Sequence, residues 1–430
     1  MTYHEAVARI LALRGGEIAG MRPGLERIET LLAAIGNPER AFRIVQVGGT
    51  NGKGSISAML ASILEAAGRR VGLYTSPHLC DFRERIRVNG RLIGEADVVD
   101  GVEAIGTLVT RLDATMFEAA TALGLDHFAR EGVEVAVLEV GLGGRLDATT
   151  VGEPVVEVLS SIDYDHQAYL GGTLAQIARE KAAIIRSGVA FAARQEPEVE
   201  EVLIRRAAEV GIPLALEGRD LHVTGDRFSL DGQLLDLGGP GWNLEDVRCR
   251  LLGVFQPGNA LLAAAAAREL GALGEAIRRG LATVDWPGRF QVLQRDPIVI
   301  LDGAHNPAGA RALAASLAAY FPGLALTLVL GISADKDQAG ILAALAPLAS
   351  RLILTAYRSP RAATPAALRA LLPSSDARVE TATSLEEALS LAMAEPRTPI
   401  ICVAGSLYLV GEALAQAHEK QDILCGPGAR

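Results

Sequence analysis

The segment that most constrains this 430-residue chain runs from Arg43 to Ala67. Arg43–Val47 is a short apolar run of the kind that forms a buried strand, and Ser55–Ala67 carries Met59, Leu60, Ile63 and Leu64 at helical spacing. Between them lies Gly48-Gly49-Thr50-Asn51-Gly52-Lys53-Gly54-Ser55. A strand, a glycine loop and a helix in that order bind phosphate. The glycines let backbone N–H groups converge on oxygens, the helix N-terminus adds positive potential, and Lys53 reaches the β and γ phosphates. The spacing departs from the usual G-x-x-x-x-G-K-[ST]: position 47 is Val, and Gly54 separates Lys53 from Ser55. A tight turn with an incidental lysine is the bland alternative. Composition weighs against it, because the 41 basic residues include lysine only at 53, 181, 336 and 420. A compact amine that can lose its proton is not interchangeable with guanidinium, so each lysine here deserves scrutiny.

The rest of the chain keeps an alternating strand–helix rhythm. Val71–Tyr74, Val135–Val140 and Val155–Ser160 read as strands, the last two apolar on both faces, as in a parallel sheet covered by helices. Leu221–Leu235, with its Gly and Asp turn residues, reads as a small β-hairpin region. The rhythm restarts after Trp286-Pro287-Gly288-Arg289, with strands at Ile298–Leu301, Leu326–Leu330, Arg351–Thr355 and Pro399–Val403 and helices between. A domain boundary is expected near residues 287–297. The fold class is α/β: a P-loop parallel-sheet domain over 1–290 and a smaller Rossmann-like domain over 291–430.

Bulk properties exclude several classes. The net charge is −10 and no basic run resembles a nucleic-acid footprint, which argues against a nucleic-acid partner. No apolar run approaches the roughly 20 residues of a membrane span. The N-terminal residues lack a secretory signal pattern, so a cytoplasmic protein is expected. Cys80, Cys249, Cys402 and Cys425 are scattered without CxxC pairing, indicating neither a zinc site nor a disulfide frame.

Polar residues at strand ends mark the candidate chemistry. Thr75-Ser76-Pro77-His78-Leu79 follows one strand, and Ser76 can offer a hydroxyl to a metal; a solvated loop is the alternative. Glu139 ends another strand before Gly141-Leu142-Gly143-Gly144-Arg145-Leu146-Asp147-Ala148-Thr149. A carboxylate there is costly to bury unless it holds a cation, for which nucleotide-bound Mg²⁺ is the obvious candidate, while Asp147 can also be a helix cap. Asp163, Asp165 and His166 follow a third strand. Lys181 stands in an apolar helical stretch, where a buried amine needs a carboxylate partner, a lowered pKa or covalent modification. In the second domain, Asp302-Gly303-Ala304-His305-Asn306-Pro307 and Val403-Ala404-Gly405-Ser406 end two strands, suggesting a ligand site; either alone can be a helix cap.

Together these blocks resemble the bacterial folylpolyglutamate synthase/dihydrofolate synthase enzymes, within the wider Mur-ligase group of ATP-dependent amide ligases. The resemblance covers nearly the whole chain and is carried by Gly49–Ser55, Thr75–Leu79 and Asp302–Pro307, in the family's order. It implies that Asn51, Gly52, Lys53, Gly54 and Ser55 hold the ATP phosphates, with Asn259, Arg289 and Asp302 as further ATP contacts. Ser76, Glu139 and His166 look like the family's Mg²⁺ ligands, and Lys181 matches a lysine that is carbamylated there. Thr115, Met116, Phe117 and Glu118, with Leu146, Asp147 and Ala148, resemble the folate- or dihydropteroate-binding segments. Asp302, His305 and Ser406 match positions that hold glutamate, and Lys53, Lys181 and His305 carry the catalytic roles. Thr150 stands where the family often has Asn, and Ala183 and Arg186 replace a frequent Gly and Lys.

The chemistry so implied is carboxylate activation. A substrate carboxylate attacks the γ-phosphate of MgATP, and glutamate's amine then displaces phosphate from the acyl phosphate, with domain closure expected to exclude water. The implied substrates are ATP, L-glutamate and dihydropteroate or a reduced folate; a monovalent-cation requirement stays open, and a monomer is expected. Folylpolyglutamate synthase activity alone is the close alternative. A P-loop NTPase of other function would share the loop but not need Asp302–Pro307, and a non-catalytic nucleotide-binding module would leave Glu139 and His166 unexplained.

Overall fold

The computed structural model describes residues 1–15, 22–374, 376–394 and 399–425; the side chains of 418–425, Lys420 and Cys425 among them, lie outside that description. The chain divides into two compact units. The first comprises 1–227, 234–250 and 257–285, and the second 228–233, 251–256 and 286–430. The single boundary expected near residue 290 is thus preceded by two short excursions into the second unit.

The first unit is built on an eight-stranded sheet. Its strands are β1 (Arg43–Gly48), β2 (Val71–Tyr74), β3 (Ile86–Val88), β4 (Arg91–Leu92), β5 (Val135–Glu139), β6 (Pro154–Leu159), β7 (Val189–Ala192) and β8 (Leu214–Leu216), in the order β4-β3-β2-β5-β1-β6-β7-β8. From β2 to β8 every pairing is parallel, while β3 and β4 add an antiparallel edge. The central strands are buried along almost their whole length, which explains why they read as apolar runs rather than alternating ones. One core packs Ile105, Leu123 and Phe128, from the helices Glu95–Leu112 and Met116–Arg130, with Leu138. Another packs Ile177 and Leu203, from Leu174–Ala182 and Pro197–Val210, with Leu159.

The expected hairpin is larger than its sequence suggested. Three strands, β9 (His222–Ser229), β10 (Gly232–Gly239) and β11 (Trp242–Cys249), form a separate sheet in the order β11-β10-β9. The exposed, mostly polar pattern of β9 hides its length from any apolar-run criterion.

The second unit carries a six-stranded sheet of β12 (Gln291–Arg295), β13 (Ile298–Asp302), β14 (Leu326–Leu330), β15 (Arg351–Leu354), β16 (Arg378–Thr381) and β17 (Ile400–Ala404), ordered β12-β13-β17-β14-β15-β16. It is parallel except for β12. Both excursions contribute to its core. Phe228 stacks on Tyr320 with ring centroids 4.5 Å apart, and Leu252 is buried among Phe290, Ile300 and Leu313. Val254 N–H donates to Ser316 Oγ at 3.1 Å. Among the described residues, no helix is long and apolar enough to cross a membrane.

The helix Lys53–Ala66 that follows the glycine loop is buried all round and is crossed closely by Gly274–Thr283. Ser62 Oγ donates to Gly280 O at 2.8 Å, and a methyl group at Gly280 would lie 2.4 Å from the Ile63 Cα. Backbone cannot retreat as a side chain can, so Gly280→Ala should destabilise the protein by about 1–3 kcal/mol. Urea unfolding checks this; an unchanged midpoint would mean that the crossing is looser than described.

Candidate active site

Parallel pairing sets the strand ends side by side. In the register of β1, Val47 lies opposite Glu139 of β5, and Gly48 lies opposite Leu159 of β6. The loops that leave these strands therefore emerge at one carboxyl edge, where α/β proteins bind ligands.

The glycine loop is fixed from beneath by the segment after β6. Thr50 N–H donates to Ser161 O at 2.8 Å, Asn51 forms a bridge to Ser161, and Thr50 Oγ1 exchanges 3.1 Å hydrogen bonds with the Asp163 backbone. Gly49 has φ +128°, and a Cβ there would meet Ser160 Oγ at 2.0 Å, so only glycine fits. Gly52 is the N-cap of Lys53–Ala66, and Gly54 and Ser55 are buried in its first turn. The Asn259 carboxamide lies against Gly52, with Oδ1 2.6 Å from where a Cβ would stand.

Two lysines converge on this loop. Lys53 Nζ donates to Gly49 O at 3.4 Å and Thr50 O at 3.2 Å. Lys181, buried on Leu174–Ala182, donates from Nζ to the same Gly49 O at 2.8 Å. Beside them Glu139, 5% exposed, accepts the Ser76 N–H at 3.0 Å, which joins the ends of β2 and β5. His166 is the left-handed N-cap of Gln167–Leu170, with Nε2 3.7 Å from Asp165 Oδ1. The structure thus gathers Asn51–Ser55, Ser76, Glu139, Lys181 and Asn259 into one neighbourhood, with the loop bearing His166 tied to it through Thr50.

Most side chains in the segments expected to bind the acceptor are also tied into the fold. Thr115 and Glu118 form a capping box on Met116–Arg130, and both Glu118 carboxylate oxygens also pair with Arg27, at 2.9 and 3.1 Å. Met116 is wholly buried in the core and Ala148 is 5% exposed. Phe117 is the accessible member of its segment: its ring lies against Gly141, 2.6 Å from a notional Cβ. Leu146 is also partly accessible. Asp147 turns inward, accepting from Leu142 N–H, Thr149 N–H and Thr149 Oγ1 at 2.6–2.9 Å. Burial pushes its carboxyl above the usual range, against the pull of those hydrogen bonds.

The remaining predicted residues belong to the second unit. Asp302 ends β13 and accepts the N–H groups of Phe290 and Ala304, each at 2.8 Å. Burial raises its carboxyl, opposed by the Arg289 guanidinium and by those two N–H groups. Arg289, expected in the first domain, thus stands beside Asp302 in the second. His305 Nδ1 lies 2.8 Å from Gly303 O; a carbonyl only accepts, so this bond selects the Nδ1–H tautomer. Ser406, at the end of β17, accepts the Tyr408 N–H at 3.2 Å.

Comparison with known proteins agrees with this architecture. Residues 47–267 match the Mur ligase middle domain, and 288–407 the Mur ligase glutamate ligase domain. The chain belongs to the Mur ligase family, whose members are amide-forming ligases. Within that family it is similar to the dihydrofolate synthase/folylpolyglutamate synthase of Mycobacterium tuberculosis, at 38% identity over 86% of this chain and 82% of that protein. Escherichia coli FolC in complex with DHPP and ADP superposes with a TM-score of 0.88 at 32% identity, covering 98% of this chain and 99% of that one. A Haloferax volcanii protein named as a probable bifunctional folylpolyglutamate synthase/dihydropteroate synthase is 39% identical over 96% of this chain. The chain spans only about half of that relative, 50% of its length.

Sequence reasoning missed a buried polar cluster behind the glycine loop Gly141–Thr149. Gln46 of β1 and Glu157 of β6 are adjacent in register and both fully buried. Glu157 Oε1 accepts the N–H groups of Arg186 and Ser187, while its buried Oε2 has no hydrogen-bond partner. Burial lifts its pKa to about 7, against the pull of those two N–H groups. A carboxyl raised in the folded state binds more protons there than when unfolded. Its contribution to stability is therefore present below its ordinary value of 4.5 and is lost as pH rises through 7. Glu157→Gln should accordingly gain about 2 kcal/mol more stability relative to the parent at pH 8 than at pH 5. Denaturant unfolding at both pH values measures this, and an equal effect at the two would contradict it.

Proposed function

We propose that the protein is an ATP-dependent ligase joining L-glutamate to dihydropteroate and to the γ-carboxylate of reduced folates through an acyl phosphate. The observation that carries this is the convergence of Lys53 and buried Lys181 on Gly49 O, beside the Glu139–Ser76 pair. Two cations and a row of N–H donors at a helix N-terminus suit a transferring phosphoryl group, whose charge spreads over its oxygens. Further support comes from the DHPP and ADP bound to the FolC relative.

Among the described residues no three His, Cys, Asp or Glu side chains form a metal cluster. One buried carboxylate beside a hydroxyl residue at the phosphate loop fits Mg²⁺, which keeps waters and phosphate oxygens in its shell. Ser76, Glu139 and His166 would hold it, and it would neutralise charge on the transferring group. Carbamylation by CO₂ would turn the Lys181 amine into an anion serving the same cation, in place of an ammonium buried under the loop.

Phe117, Leu146 and the Gly141–Thr149 loop are assigned to the folate or dihydropteroate, with Asp147 shaping the loop. Asp302, His305 and Ser406 are assigned to glutamate, and Asn259 and Arg289 to ATP. The substrate carboxylate attacks the γ-phosphorus, ADP leaves, and the glutamate amine attacks the acyl carbon with loss of phosphate. We place this activity in the cytoplasm, in a monomer.

Purified protein with MgATP and glutamate should form the amide from dihydropteroate and from tetrahydrofolate, with one ADP released per bond. Lys53→Ala should lower kcat at least about a hundredfold. Amide formed from tetrahydrofolate alone would leave a folylpolyglutamate synthase. ATP turnover indifferent to glutamate, with no amide from either acceptor, would sink the ligase reading.

A further inference from the structure

The cluster behind the glycine loop is a continuous strut. Arg186 Nη2 donates to Gln46 Oε1 at 3.2 Å, and its Nη1 to Gly152 O at 3.0 Å. Gln46 Nε2 in turn donates to Thr150 Oγ1 at 2.7 Å and Thr149 Oγ1 at 3.3 Å. The two hydroxyls pass the connection into the loop: Thr150 Oγ1 donates to Gly144 O and Thr149 Oγ1 to Asp147 Oδ1, both at 2.6 Å. At its other end Arg186 follows the helix Leu174–Ala182, and its own N–H is held by Glu157. A single chain of side chains therefore links the connection after Lys181 to both ends of the loop at 141–150.

The loop touches the same helix directly. Arg145 N–H donates to Glu180 O at 3.1 Å, and the Arg145 guanidinium pairs with the Glu180 carboxylate at 3.1 Å. That ion pair is exposed and worth little. The strut is different: Gln46 is fully buried, where an amide is costly unless both its ends are paired. Its two ends are met by Arg186 and Thr150. An arginine that reaches two acceptors at once does what a lysine point charge does less rigidly.

We propose that Gln46 and Arg186 are positioning residues for the carboxylate-bearing acceptor: they hold the loop at 141–150 in fixed register with the helix that carries Lys181. Neither touches substrate. Their effect is felt where the loop meets a flat, heteroaromatic acceptor, which rests on the acceptor assignment made above.

Steady-state kinetics with each substrate varied in turn tests this on Arg186→Met, Arg186→Lys, Gln46→Met and Phe117→Ala, each checked for folding by thermal unfolding. Arg186→Met and Gln46→Met should raise the acceptor KM about tenfold, the equivalent of roughly 1.4 kcal/mol, with kcat and the KM values for ATP and glutamate within about twofold. Arg186→Lys should return most of the loss, since an ammonium can still donate to Gln46. Three KM values rising together in step with a lower Tm would reduce the strut to general stability and overturn the proposal. So would an unchanged acceptor KM in both methionine variants when Phe117→Ala raises it. If Phe117→Ala also leaves the acceptor KM unmoved, it is the acceptor assignment that fails, and the proposal falls with it. Should one methionine variant not fold, the other decides.

Discussion

The Gly49 carbonyl is the point on which the first unit's chemistry depends. A backbone oxygen ordinarily serves one donor; here two ammonium groups approach it, from the helix after the loop and from a helix 128 residues further along the chain (Lys53 and Lys181). The loop can hold that oxygen in place because β1 lies between β5 and β6 and the segment after β6 pins Thr50 and Asn51. Phosphate binding at a helix N-terminus needs donors that do not move when charge arrives. In this protein that rigidity is supplied from below, by strand pairing and by Ser161, rather than by the loop's own glycines.

A second consequence concerns carboxylates. Four of the buried acids in the chain are treated differently by their surroundings. Glu139 accepts the Ser76 N–H at the carboxyl edge of the sheet, Asp147 is enclosed by the N–H and hydroxyl donors of its own loop, and Asp302 takes the Phe290 and Ala304 N–H groups beside Arg289. Glu157 keeps its Oε2 buried and unbonded, and burial pushes its pKa up to about 7. Its cost is tolerated because its other oxygen holds the chain where Arg186 turns toward Gln46.

Much of this was legible from residue order. Strands β1, β5, β6, β13 and β14 announced themselves because burial on both faces leaves no room for alternation, and the glycine loop lay where strand and helix required it. The β9–β11 sheet was underestimated because its exposed strands carry no apolar signature. The segment Thr115–Glu118 shows a different limit. Its threonine and glutamate, three apart before an apolar run, are the signature of a helix start, and the fold uses them as such. Within that stretch Phe117 carries the partly accessible side chain. The Gln46 strut had a signal that went unused: one amide inside β1 and one carboxylate inside β6, each the lone polar interruption of a strand that has no wet face.

The excursions at 228–233 and 251–256 give the chain an unusual continuity. It passes between its two compact units five times: after residues 227, 233, 250, 256 and 285. Leu230 packs against the second core and Leu252 lies within it, both ahead of most of that core in the sequence. Severing the chain near residue 290 would therefore divide neither unit cleanly. The C-terminal piece would lack two apolar inserts that its sheet packs against, and the N-terminal piece would carry them exposed. Cut points that respect both units would have to fall at all five crossings, not at one linker.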